Sequence, residues 1–360
     1  MLIDLRAQYA RIRDDVDRRI KAVLEHGQYI LGPEVRELEE RLAAAAGVRH
    51  CLAVASGTDA LLMPLMALGV GPGDEVITTP FTFVATAEVV RLVGATPVYG
   101  DIDPDTYNLD PSGIEALITP RTRAIMPVSL FGQCADFDAI NAIAARHRLP
   151  VIEDAAQSLG ATWRGKPSCG LTTVAGTSFY PSKPLGGYGD GGAVFTGDDE
   201  LARVLREIRV HGQSATYRYA RVGLNARLDS IQCAILLAKL AVFPGEVERR
   251  AQIAQRYDRL LAGVVRTPVV RAPATSVYAQ YTIEVDDRDA VRARLKAAGV
   301  ATGVYYPTTL NREGPYRDER ARVPHAERAA ARVLALPFDA YLTPERQDAI
   351  VEQVRRAVAP

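Results

Sequence analysis

The chain has 360 residues, 48% of them hydrophobic, enough for one large α/β domain and a smaller second one, each with its own core. Its 43 basic and 43 acidic residues cancel and no basic tract follows the pattern of a phosphate-backbone groove, which excludes nucleic acid as an expected partner. Cys51, Cys134, Cys169 and Cys233 are scattered, with no Cys-x-x-Cys pair and no histidine cluster beside them; no metal site or disulfide framework is expected, and the compartment reads as reducing and cytoplasmic.

The N-terminus passes directly into a charged amphipathic pattern without signal-peptide blocks. No apolar run approaches the roughly 18 residues of a membrane span, so no membrane association is expected. Apolar residues recur at helical spacing over residues 6–25 and 33–46, with Pro33 suited to a first helical turn. Between them, Gly27-Gln28-Tyr29-Ile30-Leu31-Gly32 is either a plain connector or a substrate-contacting loop.

Residues 51–55 read as an apolar strand that runs into Ser56-Gly57-Thr58-Asp59 and a helix over 60–68. Free amides at such a start, with hydroxyls beside them, suit a phosphate; an ordinary N-cap has the same composition. Strands over 75–78, 96–99, 124–128 and 151–153 then alternate with helices over 80–93, after Pro111, and over 137–147. That alternation predicts a mostly parallel sheet wrapped by helices, with ligands at the carboxyl ends of the strands. Asp154 follows the last of these strands, where a carboxylate either points into the cleft or caps a helix.

Two more strands, over 172–180 and 192–196, bracket a proline- and glycine-rich loop. A helix over 199–209 and a polar, aromatic loop through Tyr217 and Tyr219 lead to Asn225 and Arg227. A long helix follows to about residue 262, which Pro244 and Gly245 should kink into a hinge. A strand over 278–285, a helix over 289–298, a strand over 302–306 and helices from 326 and 344 complete a small α+β domain. The expected organisation is a large domain over 1–243 and a small one over 244–360. Tyr305 and Tyr306 place two phenols where they face the cleft or simply pack.

Lysine is rare, occurring only at 21, 166, 183, 239 and 296. Lys21, Lys239 and Lys296 fall at helical spacing and Lys166 in a polar turn, so those four are expected to face solvent. Lys183 sits between Pro181 and Pro184, which present its amine from a stiff, irregular loop. A guanidinium stays protonated, whereas a desolvated lysine can lose its proton and condense with an aldehyde. An aldehyde for Lys183, a phosphate for Ser56-Gly57-Thr58 and a basic nitrogen for Asp154 are the three features of pyridoxal 5′-phosphate.

A series of motifs also carries a family resemblance: residues 56–61, 74–77, 82–86, 153–158, Ser178-Phe179-Tyr180-Pro181-Ser182-Lys183, 189–193 and Asn225-Ala226-Arg227-Leu228-Asp229. In order and over nearly the whole chain, the series resembles the DegT/DnrJ/EryC1/StrS sugar aminotransferases. The resemblance implies the aspartate aminotransferase fold (fold type I), a large domain with a mixed, mostly parallel sheet plus a smaller C-terminal α+β domain. It also implies a homodimer with active sites at the subunit interface. Lys183 would hold pyridoxal 5′-phosphate through a Schiff base, with pyridoxamine 5′-phosphate as the alternate form. Asp154 would pair with the ring nitrogen, Gln157 would bond the ring hydroxyl, and Phe83 would stack on the ring. Gly57, Thr58 and Ser178 would hold the phosphate, joined by Asn225 from the second subunit.

Residues 26–35, 127–137 and 277–281 most resemble the branch acting on a UDP-linked 2-acetamido-3-keto-hexuronic acid. By that resemblance L-glutamate donates the nitrogen for a surface-polysaccharide sugar, and Gly27, Tyr29, Ser182, Arg227 and Tyr306 contact the nucleotide sugar. Arg227 suits a carboxylate because its planar fork can bond both oxygens. Tyr305, also expected at the substrate, stands where that branch has histidine, and Thr308-Thr309-Leu310 replaces its Ile-Pro-Leu. A different nucleotide-linked 3- or 4-keto sugar is the competing acceptor, and a non-catalytic regulator on the same fold is the competing role.

Overall fold

The computed structural model describes residues 2–359. Its centre is a seven-stranded sheet: β1 (His50–Val54), β2 (Glu75–Thr78), β3 (Thr96–Tyr99), β4 (Thr122–Ile125), β5 (Ile152–Asp154), β6 (Val174–Ser178) and β7 (Gly192–Thr196). One block runs β3-β2-β4 and the other β5-β6-β7-β1; parallel bridges between Ile125 and Val151 and between Val128 and Asp154 join them. All ladders are parallel except those of β7, which is antiparallel to β6 and to β1. The loop carrying Lys183 is thus the connection between two neighbouring interior strands.

Period-two alternation assigns the strand residues to the two faces. Cys51 and Ala53 pack with Leu38, Leu42, Leu236 and Leu237 of helices Pro33–Ala46 and Ser230–Leu261. Leu52 and Val54 pack with Leu61, Met63 and Leu205 of helices Gly57–Ala67 and Asp199–Arg209 on the opposite face. Both faces are covered, which is why β2 is buried at all four positions, including Glu75 and Thr78. A smaller C-terminal layer pairs β8 (Tyr281–Glu284) with β9 (Val333–Leu336) antiparallel. Its core is built from Tyr257, Ile283, Leu295, Leu334 and Val354.

Three expectations change. Residues 80–84 are not helical: the Thr79 hydroxyl accepts the Phe81 N–H at 3.2 Å and the helix begins at Ala85. Residues 302–306 form no strand, only a bridge from Gly303 to Ala335, because Tyr306 turns away to pack edge-on against Phe81 with ring centroids 6.2 Å apart. The long helix runs from Ser230 to Leu261 through Pro244 and Gly245, as expected, with Phe243 and Glu246 buried on either side of the proline. By length and composition that helix is apolar enough to cross a membrane, but its apolar side chains Leu236, Leu237 and Phe243 are buried in the core.

The third change concerns lysine. Lys21, Lys166 and Lys296 are exposed, but Lys239 is only 1% accessible. Its Nζ donates to the Gly186 carbonyl at 2.6 Å and lies 4.2 Å from the centre of the Tyr188 ring. Helical spacing places a side chain on a face without saying what covers that face.

Candidate active site

A cavity of about 680 Å³ opens at the carboxyl ends of β5 and β6 and at the start of helix Gly57–Ala67. Gly57, Thr58, Phe83, Asp154, Gln157, Ser178, Ser182, Lys183, Tyr305 and Tyr306 all line it. Four other expected residues, Gly27, Tyr29, Asn225 and Arg227, are not in its wall.

The helix start supplies an anion cradle. Ser56 caps the helix by accepting the Asp59 N–H at 3.0 Å, which leaves the earlier amides unpaired among the described residues. Gly57 lies against Ser178, close enough that a Cβ on it would come within 2.6 Å of the Ser178 Cβ. Only glycine permits that approach. The Ser178 hydroxyl, which itself accepts the Tyr180 N–H at 3.2 Å, is thereby brought beside the helix terminus.

Asp154 ends β5 inside the molecule. Thr86 Oγ1 donates to its Oδ2 at 2.7 Å and the Ala156 N–H to its Oδ1 at 3.1 Å, and the Thr82 hydroxyl lies 3.0 Å behind Thr86. Burial pushes the Asp154 carboxyl up, while these two hydrogen bonds and the Lys183 charge pull it back toward the ionised form. Burial likewise pushes the Lys183 amine down, opposed by Asp154. The amine is therefore easier to deprotonate than an ordinary lysine, and a cation added next to Asp154 would favour its carboxylate.

Gln157 spans the floor, its Oε1 accepting the Phe131 N–H at 2.8 Å and its Nε2 donating to the Tyr306 hydroxyl at 3.2 Å. The second Nε2 hydrogen is free for another acceptor. Burial, reinforced by the nearby Asp154 charge, raises the Tyr306 phenol, which stays protonated. Phe83 is 55% exposed toward the opening, its ring 6.4 Å from that of Tyr306.

Four further residues contribute that local patterns do not single out: Thr86, Leu2, Ile3 and Glu153. For Thr86 the one signal in the sequence is its i, i+4 spacing from Thr82. Leu2 and Ile3 reach the cavity because the Phe338 N–H donates to the Leu2 carbonyl at 3.0 Å and the Asp4 N–H to Asp339 at 2.9 Å. No local pattern could place the first residues beside residue 338. Glu153, buried in the middle of β5, accepts from the Ser129 and Ser168 hydroxyls at 2.8 Å and from the Cys169 N–H at 2.9 Å, which ties two loops to the strand that ends in Asp154.

The missing four lie together elsewhere. The Ser230 N–H donates to the Tyr29 carbonyl at 2.9 Å, the Gly32 N–H to the Ser230 hydroxyl at 3.1 Å, and Ile30 bridges Asp229. These bonds bind the 27–32 loop to the 225–230 segment. Asn225 is exposed, and Arg227 bridges Val54 at the sheet edge with its Nε unpaired among the described residues.

A desolvated amine, a buried carboxylate held by hydroxyl and amide, and an anion cradle at a helix start fit the aldehyde, ring nitrogen and phosphate of pyridoxal 5′-phosphate. On a mostly parallel sheet with both faces covered, they define a fold type I pyridoxal phosphate-dependent enzyme. The chain belongs to the DegT/DnrJ/EryC1/StrS aminotransferase family, whose sequence pattern it matches over residues 10–355. It is 60% identical over 341 residues to the UDP-2-acetamido-2-deoxy-3-oxo-D-glucuronate aminotransferase of Pseudomonas aeruginosa, covering 94% of this chain and 95% of that one. The crystal structure of a DegT DnrJ EryC1 StrS aminotransferase from Brucella abortus superposes with a TM-score of 0.97 at 45% identity, covering 100% of both chains. NtdA of Bacillus subtilis with bound cofactor PMP superposes with a TM-score of 0.91 at 33% identity, covering 99% of this chain and 83% of that one.

Proposed function

We propose that the enzyme moves the amino group of L-glutamate to the 3-keto position of a UDP-linked 2-acetamido-2-deoxy-hexuronic acid, for a surface polysaccharide or a secondary-metabolite sugar. The identity to the Pseudomonas aeruginosa enzyme, sustained across nearly both chains, carries this reading. Pyridoxal 5′-phosphate, when bound, supplies an aldehyde that takes amines and a ring that accepts the electrons left by a departing Cα–H proton. Lys183 offers a primary amine whose pKa is pushed down by burial, suited to attachment and then to carrying a proton as acid and base. Asp154 would face the ring nitrogen, Gln157 would offer its free N–H to the ring hydroxyl, and Phe83 would cover one ring face. Gly57, Thr58 and Ser178 would hold the phosphate.

The site is completed by a second copy of the chain. The exposed side chains of Tyr217, Tyr219 and Val222 precede Asn225 and Arg227 in the chain, those of Tyr29, Ile30 and Leu31 stand on the loop bonded to the same segment, and burying them against a partner would carry Asn225 and Arg227 to its cavity. Asn225 would then reach the phosphate. Gly27, Tyr29 and Arg227 would meet the nucleotide sugar, Arg227 at the carboxylate, facing Ser182, Tyr305 and Tyr306 of the other chain. Four free, buried thiols agree with a cytoplasmic setting.

Incubation with glutamate and a panel of UDP-, dTDP- and GDP-linked 3- and 4-keto sugars tests the reading. Amination of the UDP-linked 3-keto-hexuronate in preference to the rest is expected. Preference for a neutral or 4-keto sugar would reject it.

A further inference from the structure

The loop that carries Lys183 is pinned from behind by the long helix. It leaves β6 at Ser178, closes on itself where the Gly187 N–H donates to the Phe179 carbonyl at 2.7 Å, and is crossed by the Lys183 N–H donating to the Tyr180 carbonyl at 2.9 Å. Gly186 sits at the crossing: a Cβ there would meet the Pro181 carbonyl oxygen at 2.5 Å and that of Tyr180 at 2.7 Å. Two side chains seven residues apart, on one face of helix Ser230–Leu261, reach this crossing. Gln232 Oε1 accepts the Tyr188 N–H at 2.9 Å, and Lys239 Nζ donates to the Gly186 carbonyl at 2.6 Å.

We infer that Lys239 is a positioning residue for Lys183, its ammonium locking the Gly186 carbonyl and thereby fixing the path of the loop that presents the reactive amine. The contact is local and specific: Lys239 has the Tyr188 ring beneath it at 4.2 Å and is 1% exposed. Holding a lysine there is costly, since burial pushes its pKa down to about 8 against the support of Glu246. A methionine would fill the same space with no charge to desolvate. What methionine cannot do is donate to Gly186, whose carbonyl would be left without this partner next to the turn that orients Lys183.

This inference rests on Lys183 being the attachment point of the cofactor, a reading tested separately by loss of the visible absorbance band in Lys183→Ala. The positioning role is tested with Lys239→Met and Lys239→Gln holoenzymes, by hydrogen exchange of residues 179–189 and by steady-state kinetics. In Lys239→Met, exchange in that segment should rise about tenfold or more while the rest of helix Ser230–Leu261 keeps its protection. The misplaced amine should lower kcat about tenfold with the KM for the nucleotide sugar changed less than about twofold. Lys239→Gln, which restores an N–H donor without charge, should recover most of both. Native exchange and kcat in Lys239→Met would overturn the inference, as would exchange rising throughout the helix or a glutamine variant as impaired as the methionine one.

Discussion

The cavity wall around Lys183 and Asp154 differs from the outer patch around Tyr29, Asn225 and Arg227 in how completely one chain satisfies its polar groups. In the cavity, Asp154 has two donors, Gln157 bridges Phe131 and Tyr306, and the Lys183 loop is closed by its own backbone. On the patch, Tyr29 and Ile30 are each 48% exposed and the Arg227 Nε has no partner among the described residues. The first region is organised before anything binds. The second has its backbone fixed and its side chains waiting, as expected of a surface completed by another molecule.

The largest effect should come from breaking the cavity. Lys183→Ala should lower turnover by about 10³-fold or more, because both attachment and proton transfer are lost. Mixing it with Arg227→Ala sharpens the comparison: if the patch of one chain serves the cavity of another, random pairing restores about one quarter of the native sites. Activity no greater than that of the parents would refute shared sites. Asp154→Asn should cost about 10²–10³-fold, since a neutral amide cannot hold a ring nitrogen protonated; cofactor content, measured after dialysis, should fall less than turnover.

A smaller and more selective effect is expected at the patch. Arg227→Ala should slow a uronic-acid substrate about 10- to 100-fold more than a neutral keto sugar, the loss of one bidentate charged contact. Equal losses on both substrates would remove the carboxylate assignment. The smallest effect should come from Thr86→Val, which deletes one of the two hydrogen bonds favouring the Asp154 carboxylate. The Asp154 pKa then rises further, so fewer molecules carry the charge at low pH. The acid limb of the rate profile should move up by roughly half a pH unit, with turnover above pH 8 nearly unchanged. A profile that does not move would show that Thr86 leaves the charge of Asp154 unaltered.

Much of the cavity was legible because its pieces are local. A strand followed by Ser56-Gly57-Thr58, a carboxylate after the 151–153 strand, and a lysine between two prolines are each written in fewer than ten residues. Less legible was how distant segments meet. Leu2 reaches the cavity through residue 338, and Tyr306 abandons an expected strand to pack against Phe81. Lys239 carries the same helical period as exposed Lys21 and Lys296, yet it ends on a buried carbonyl.

By itself the amino-acid sequence determined the alternation of strands and helices, the glycine that lets a helix start approach Ser178, and the residue types able to hold a phosphate, a ring nitrogen and an aldehyde. These depend on steric and hydrogen-bonding preferences acting over one or two turns of chain. The tertiary structure alone decided that β7 runs antiparallel between β6 and β1, that Lys239 clamps the loop of Lys183, and that Asn225 and Arg227 stand apart from the cavity of their own chain. Periodicity marks which face of an element is buried, but the partner of that face is set by the packing of all elements at once.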